Sequence, residues 1–204
     1  MLDKLIGIFR VLFKTASITI AVGLVVLAGA GTFFLINIYR SLPEVSTLKD
    51  FKHPVATEVY SDDNKKIGEF TNERRYEVKF ESIPKHVTLA FVAAEDSNFY
   101  KHGGIDFNGI LRAVLSNLLR GRYAQGGSTI TQQVARSILL VSRKKEITRK
   151  VREIILARRM EDQLSKSEIL SLYLNEIYLG HGAFGIGAAA MNYFHKKVEG
   201  LTVA

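Results

Sequence analysis

Glu95 and Asp96 are adjacent carboxylates at the end of an apolar run, Ala90 to Ala94, and are followed by Phe99, His102 and the Gly103-Gly104 pair. A carboxylate set against apolar neighbours can have its proton affinity tuned for general acid or base work. A glycine-rich turn lets other backbone come close. Taken alone, such a pair is an ordinary solvated helix end, but two further stretches give it company. In GGSTITQQ, residues 126–133, two glycines precede Ser128 and Thr129 at a helix start. Backbone N–H groups and hydroxyls can meet an anion there, although a plain N-cap has the same composition. Gln132 and Gln133 suit sugar hydroxyls or acetamido groups, and equally suit backbone. In RKKEITRKVREI, residues 143–154, Glu153 is set among basic side chains. A charge run of this kind is commonly a solvated helix face, yet it can also neutralise a departing diphosphate.

These residues need helices to carry them, and the pattern supplies helices from Pro84 onward. Val87, Phe91 and Ala94 recur at helical spacing up to Glu95. Asp106 is placed to cap a helix over 107–120, with Ile110, Leu111, Val114, Leu115 and Leu118 as its buried face. GRYAQGG, 121–127, reads as a loop, and Ser128 or Thr129 caps a helix running to about Leu140. Residues 145–163 read as a long basic helix with Ile147, Val151, Ile154 and Ile155 inward. Ser165-Lys166-Ser167-Glu168 is a capping-box pattern before ILSLYLNEIYL. A glycine-rich loop, 180–187, then precedes a last short helix.

Upstream, no charged residue occurs from Thr15 to Tyr39. That run exceeds the roughly 20 apolar residues a bilayer crossing needs. It continues through Phe33 to Ile36, past where a cleaved signal peptide would stop, so an uncleaved anchor over residues 1–40 is expected. Basic residues lie on both flanks, Lys4, Arg10 and Lys14 before it and Arg40, Lys49 and Lys52 after it. The short basic tail favours a cytoplasmic N-terminus. Residues 41–83 read as a linker with short strands: TEVYSDDNKKIGEF as two strands about Asp62-Asp63-Asn64, and RYEVKFESI as a third with Tyr76, Val78 and Phe80 on one face. The 204-residue chain carries 28 Lys and Arg against 20 Asp and Glu, a net charge of +8. This points to an anionic partner. The chain has no Cys, which excludes disulfides and thiolate metal sites.

EDSNFYKHGGID, GGSTITQQ, RKVREIILA, KSEILSLYLNEIYLG and GAFGIGAAAMNYF, in this order, resemble the five signature motifs of the peptidoglycan glycosyltransferases. These form glycosyltransferase family 51, found in class A penicillin-binding proteins and in monofunctional enzymes. The connecting segment and RAVLSNLLRGRYAQGGSTI look more like the class A proteins. The resemblance covers residues 90–196 densely. It implies a mainly α, lysozyme-like glycosyltransferase domain over 84–204, preceded by the transmembrane helix and the small β segment. It also implies a partly apolar surface that dips into the bilayer.

The implied reaction polymerises lipid II, a disaccharide-pentapeptide on a polyprenyl diphosphate, into β-1,4 glycan with inversion at the anomeric carbon. By the resemblance, Glu95 is the general base, Asp96 the acid beside it, and Phe99 and His102 shape that site. Ser128, Thr129, Gln132 and Gln133 match the donor-side wall. Arg136, Lys145, Arg149 and Lys150 are the candidates for holding the diphosphate. Glu153 supports diphosphate departure, either through a divalent metal (Mg2+ or Mn2+) or by orienting the basic residues. No organic cofactor is expected. Expected partners are lipid II, the nascent glycan strand, the bacterial membrane and other cell-wall synthesis proteins, with no nucleic acid. The expected location is the inner membrane, single-pass, with the catalytic domain on the outer face.

Three S-x-x-K matches, at Ser46, Ser82 and Ser142, read as chance, because the companion transpeptidase motifs are missing. Family members continue beyond the position of Ala204, so the resemblance implies an N-terminal fragment. A lysozyme-like lytic enzyme and a non-enzymatic, membrane-tethered basic module are the competing readings.

Overall fold

The structure is a computed structural model that describes residues 2–48, 57–70, 74–121, 126–140 and 147–203. Lys49, Lys52, Ser142, Lys145 and most of the loop at 121–127 lie outside the described residues, as does the stretch 141–146 that precedes the basic helix. The chain divides into two compact units, Met1–Leu42 and Pro43–Ala204.

The first unit is α1, Leu2–Ser41. Its 40 residues give a rod of about 60 Å at 1.5 Å per residue. It is long and apolar enough to cross a membrane. From Phe9 to Tyr39 it exposes large apolar side chains around its circumference, which suits a helix surrounded by lipid rather than one laid on a core.

The second unit begins with a hairpin. β1 (Thr57–Tyr60) pairs antiparallel with β2 (Lys66–Phe70), with a bulge between Val59 and Tyr60. The turn falls at the expected polar cluster, and Asn64 takes the left-handed conformation there (φ 62°), as Asn does more readily than most residues. The expected third strand shrinks to β3, Arg74–Arg75, which pairs in parallel with β4, Ala183–Phe184. Beyond Arg75 a side chain replaces the neighbouring strand. The Asn175 amide accepts from Val78 N–H at 2.9 Å and donates to Val78 C=O at 3.0 Å. Val78 thus satisfies both of its backbone polar groups without a ladder.

The helices follow in order: α2 Lys85–Glu95, α3 Phe107–Arg120, α4 Ile130–Val134, α5 Ile147–Gln163, α6 Lys166–Glu176 and α7 Gly185–Phe194. The fold is mainly α, as the periodicity indicates. Asp106 accepts from Gly109 N–H at the start of α3, and α6 carries the full Ser165/Glu168 capping box. α4 is at the centre, packed on α5 and α6. Ile130 and Val134 meet Leu156, Met160, Ile169, Leu170 and Leu174 in a fully buried core. Burying each such side chain contributes about 1.5–3 kcal/mol. A five-residue helix cannot hold itself together in water, so α4 owes its existence to that packing.

Three expectations about helix faces are corrected. The helix after Thr129 does not run regularly to Leu140 but opens into a π-turn at Ala135–Leu139. The apolar stripe of α3 is exposed: Leu111 60%, Val114 57% and Leu118 77%, with Ala113 alone buried on that helix. In α5 the inward stripe is Glu153, Leu156, Ala157 and Met160, whereas Ile147 is exposed. On both helices the isoleucines, leucines and valines outnumber the positions that a small domain can cover. Periodicity finds the apolar face without saying what that face meets.

Candidate active site

α2 ends by delivering Glu95, exposed, to the rim of a cleft of about 630 Å³. This volume falls within the usual range for small-molecule sites. Asp96, Arg112, Gly127, Ser128, Thr129 and Gln133 also line the cleft. Gln133 donates its side-chain amide to Glu95 Oε2 at 3.1 Å, fixing one oxygen of the carboxylate. One turn back along α2, Phe91 packs edge-on against Tyr173 of α6, with ring centroids 6.3 Å apart. Burial raises the Tyr173 phenol above its ordinary value, the negative charge of Glu95 adds to this, and Arg136 opposes it. Arg136 therefore acts on the same locality, from the π-turn that follows α4. π-turns are frequent at functional sites.

Asp96 has a different job. It is 7% exposed, and its Oδ2 accepts from Ile130 N–H and from His102 Nε2, both at 3.0 Å. Gly104 N–H donates to His102 Nδ1 at 3.1 Å, so Nε2 carries the ring proton and donates to Asp96. The carboxylate thus ties the end of α2 to the start of α4 and to the histidine turn. It is occupied as an acceptor rather than presented for proton transfer.

Gly104 brings that turn against α5. Its φ is +89°, and a Cβ there would lie 3.0 Å from the backbone carbon and oxygen of Ala157. Its carbonyl accepts from Thr129 Oγ1 at 2.9 Å and from Gln132 Nε2 at 3.2 Å. Lys166 closes the turn from the other side, donating to His102 C=O at 2.7 Å and sitting 4.4 Å over the Phe99 ring.

Glu153 is 1% exposed, and both of its oxygens meet cations. Arg149, one turn away, takes Oε1, and Lys150 Nζ approaches Oε2 at 3.2 Å. Lys150 also donates to Ser128 Oγ at 2.9 Å and to Gln132 Oε1 at 2.7 Å. A buried carboxylate of this kind persists because it is paired and hydrogen-bonded. The two carboxylates singled out in the sequence therefore belong to one connected wall. Glu95 is held by Gln133, and Ser128, on the same cleft, is held by the lysine that Glu153 orients.

Of the residues singled out in the sequence, Glu95, Asp96, Ser128, Thr129 and Gln133 line the cleft. Lys150 reaches it through Ser128, while Glu153 and Gln132 stand behind the wall. Phe99 is a correction: it is fully buried among Tyr100, His102 and Lys166. It supports the turn from below and has no surface to offer a ligand. His102, bonded to Asp96, likewise positions rather than contacts. Sequence reasoning missed Arg112, a cleft residue on α3, because it reads as one more basic residue in an amphipathic helix. It also missed Lys166 and Tyr173, although both sit inside the quoted KSEILSLYL motif. The donor set at Glu153 does not fit a divalent cation, because both carboxylate oxygens are taken by Arg149 and Lys150. Among the described residues no group of three His, Asp or Glu side chains could ligate one.

A family described as Transglycosylase matches residues 63–204. Penicillin-binding protein 1A of Escherichia coli (strain K12) is 46% identical over 182 residues, covering 87% of this chain and 21% of its own length. The protein of the same name from Vibrio cholerae is 46% identical over 180 residues, 87% of this chain and 22% of its own. That of Aquifex aeolicus is 45% identical over 170 residues, 83% and 23%. The chain spans about a fifth of the length of these relatives.

Proposed function

Because the chain belongs to the transglycosylase family, we propose that it polymerises lipid II into β-1,4 peptidoglycan strands, releasing polyprenyl diphosphate. The observation that carries this is the shared wall: one accessible carboxylate, Glu95, on the same cleft as Ser128, whose hydroxyl is bound by the cationic Lys150–Glu153–Arg149 cluster.

In this reading Glu95 accepts the proton of the acceptor's 4-hydroxyl as that oxygen forms a bond to the donor's anomeric carbon. The bond from that carbon to the diphosphate oxygen breaks, and its electron pair leaves with the diphosphate. Attack from the face opposite the leaving group inverts the centre. A positioned base supplies about 10²–10⁴ in rate. Lys150, Arg149 and Arg136 supply positive charge for the departing diphosphate, in the manner of preorganised electrostatic stabilisation. Glu153 holds Arg149 and Lys150 in place, and no step is routed through a metal.

The reading also accounts for the rest of the chain. The substrate is confined to a membrane, and an anchor such as α1 raises its effective concentration without new contacts. Phe107, Leu111, Leu118 and Leu119 give α3 an exposed apolar face flanked by Arg112 and Arg120, suited to entering the lipid surface. In this reading the domain works on the outer face of the inner membrane, beside other cell-wall synthesis proteins; the short basic tail, which favours a cytoplasmic N-terminus, supports that orientation. A polymerisation assay on lipid II in detergent, comparing wild type with Glu95→Gln and Glu153→Gln, tests the proposal. Wild-type polymer with a loss of at least about 10² in Glu95→Gln is expected. Shortening of purified glycan instead would assign a lytic activity.

A further inference from the structure

Tyr173 is the largest unexplained polar feature near the cleft. It is 2% exposed, and its hydroxyl finds no hydrogen-bond partner among the described residues. Leaving such a group unpaired costs about 1–3 kcal/mol, so an orphaned buried hydroxyl calls for an explanation.

Its surroundings supply one. Tyr173 packs against Phe91, and Phe91 and Glu95 lie one turn apart on the same face of α2. α6, which carries Tyr173, also packs on α4, which carries Gln133. The charges that act on the phenol are those of Glu95 from α2 and Arg136 from the π-turn. Glu95 uses Oε2 for Gln133, and its Oε1 makes no hydrogen bond among the described residues. An unused donor and an unused acceptor thus sit on the same side of one helix. The phenol keeps its proton at every working pH, since burial and the nearby carboxylate both raise it. It is therefore a permanent donor, whose O–H, lying near the ring plane, can be turned to either side of the ring toward an acceptor.

We propose that Tyr173 is the positioning residue of the base: its hydroxyl donates to Glu95 Oε1 when the cleft is engaged, so that Gln133 and Tyr173 together aim the carboxylate. This rests on the assignment of Glu95 as general base. With both donors in place the carboxylate has one orientation, set by two elements, α4 and α6, that belong to the rigid core. With Gln133 alone it retains rotation about its last torsion and is a weaker anion.

The test is Tyr173→Phe in the full chain, in detergent, with lipid II as the probe and kcat and KM followed from about pH 4, below the ordinary Glu range, up to the alkaline plateau. Phe keeps the ring packing on Phe91 and removes only the oxygen. The expected result is an acid limb moved upward by about one pH unit, so that kcat on that limb falls about tenfold while the plateau stays within about threefold of wild type, because the limb moves upward when a donor to the base is lost. KM should stay within about twofold and the melting temperature should not fall. Tyr173→Met, which also removes the ring, should lower the melting temperature yet give an acid limb at the same pH as the Phe variant.

A Tyr173→Phe profile superimposable on wild type overturns the proposal and leaves the hydroxyl to an internal water. A loss of rate in parallel at every pH overturns it too, and makes Tyr173 a packing residue. Failure of wild type to polymerise lipid II would instead defeat the functional reading on which this rests. An active wild type with an inactive Glu95→Gln and an unaltered Tyr173→Phe defeats this inference alone.

Discussion

Gln133 and Glu95, 38 residues apart in the chain, meet at 3.1 Å across the cleft rim. The bond joins the central helix α4 to the end of α2, so the orientation of the carboxylate depends on the packing of the core. Gln133→Ala keeps the helix and frees the carboxylate. Polymerisation of lipid II should fall about tenfold, the effect of one lost hydrogen bond to a charged group, with the circular dichroism spectrum unchanged.

Asp96 should behave as a structural residue. Asp96→Ala leaves Ile130 N–H and His102 Nε2–H without their acceptor. Two unpaired buried donors cost about 1–3 kcal/mol each. A loss of about 3 kcal/mol in denaturant unfolding is expected, with a matching loss of activity, whereas Glu95→Gln should lose activity at full stability.

Glu153→Ala strands two cations. Breaking a buried ion pair costs about 3–5 kcal/mol. Lys150 is 40% exposed at its side chain and Arg149 20%, so solvent screens part of this and about 2 kcal/mol is the expected loss. Lipid II polymerisation should drop with it. Added Mg2+ should not restore the rate, because the positive charge at this wall comes from the side chains.

Asp106 offers a pH test at the cap of α3. Partial burial pushes its carboxyl upward, but the Gly109 N–H, the Asn98 amide and the electrostatic influence of nearby His102 and Arg112 outweigh that, and the net direction is down. A carboxyl depressed on folding contributes stability that is present above its unfolded value, about 3.9, and is lost as pH falls through the folded value. Asp106→Ala should therefore cost about 1 kcal/mol at pH 7. The gap to wild type in thermal unfolding should close as the pH drops below about 4.

The exposed leucines of α3 can be tested by where the substrate is presented. Leu118→Ser with Leu119→Ser alters side chains that are 77% and 86% exposed, so folding should tolerate it. The rate on lipid II in liposomes should fall several-fold, while the rate in detergent stays within about twofold.

The sequence by itself determined the elements and the chemistry available. An uncharged stretch from Thr15 to Tyr39 can only be at ease in an apolar medium, Asp106 and Ser165 mark helix starts by local hydrogen bonding, and five ordered motifs carry the resemblance to the transglycosylase family. These features depend on residues close together in the chain, and local patterns report them. What each face meets was decided by the tertiary structure. Phe99, expected from the family resemblance to shape the site, does so from within: it lies fully buried with Lys166 over its ring. The leucines of α3 read as core and stand exposed. The strand expected over RYEVKFESI gives way to a backbone held at Val78 by Asn175, and Tyr173 comes to pack on Phe91, one turn from Glu95. Each outcome turns on a contact between residues tens of positions apart, where long-range packing decides and periodicity carries no information.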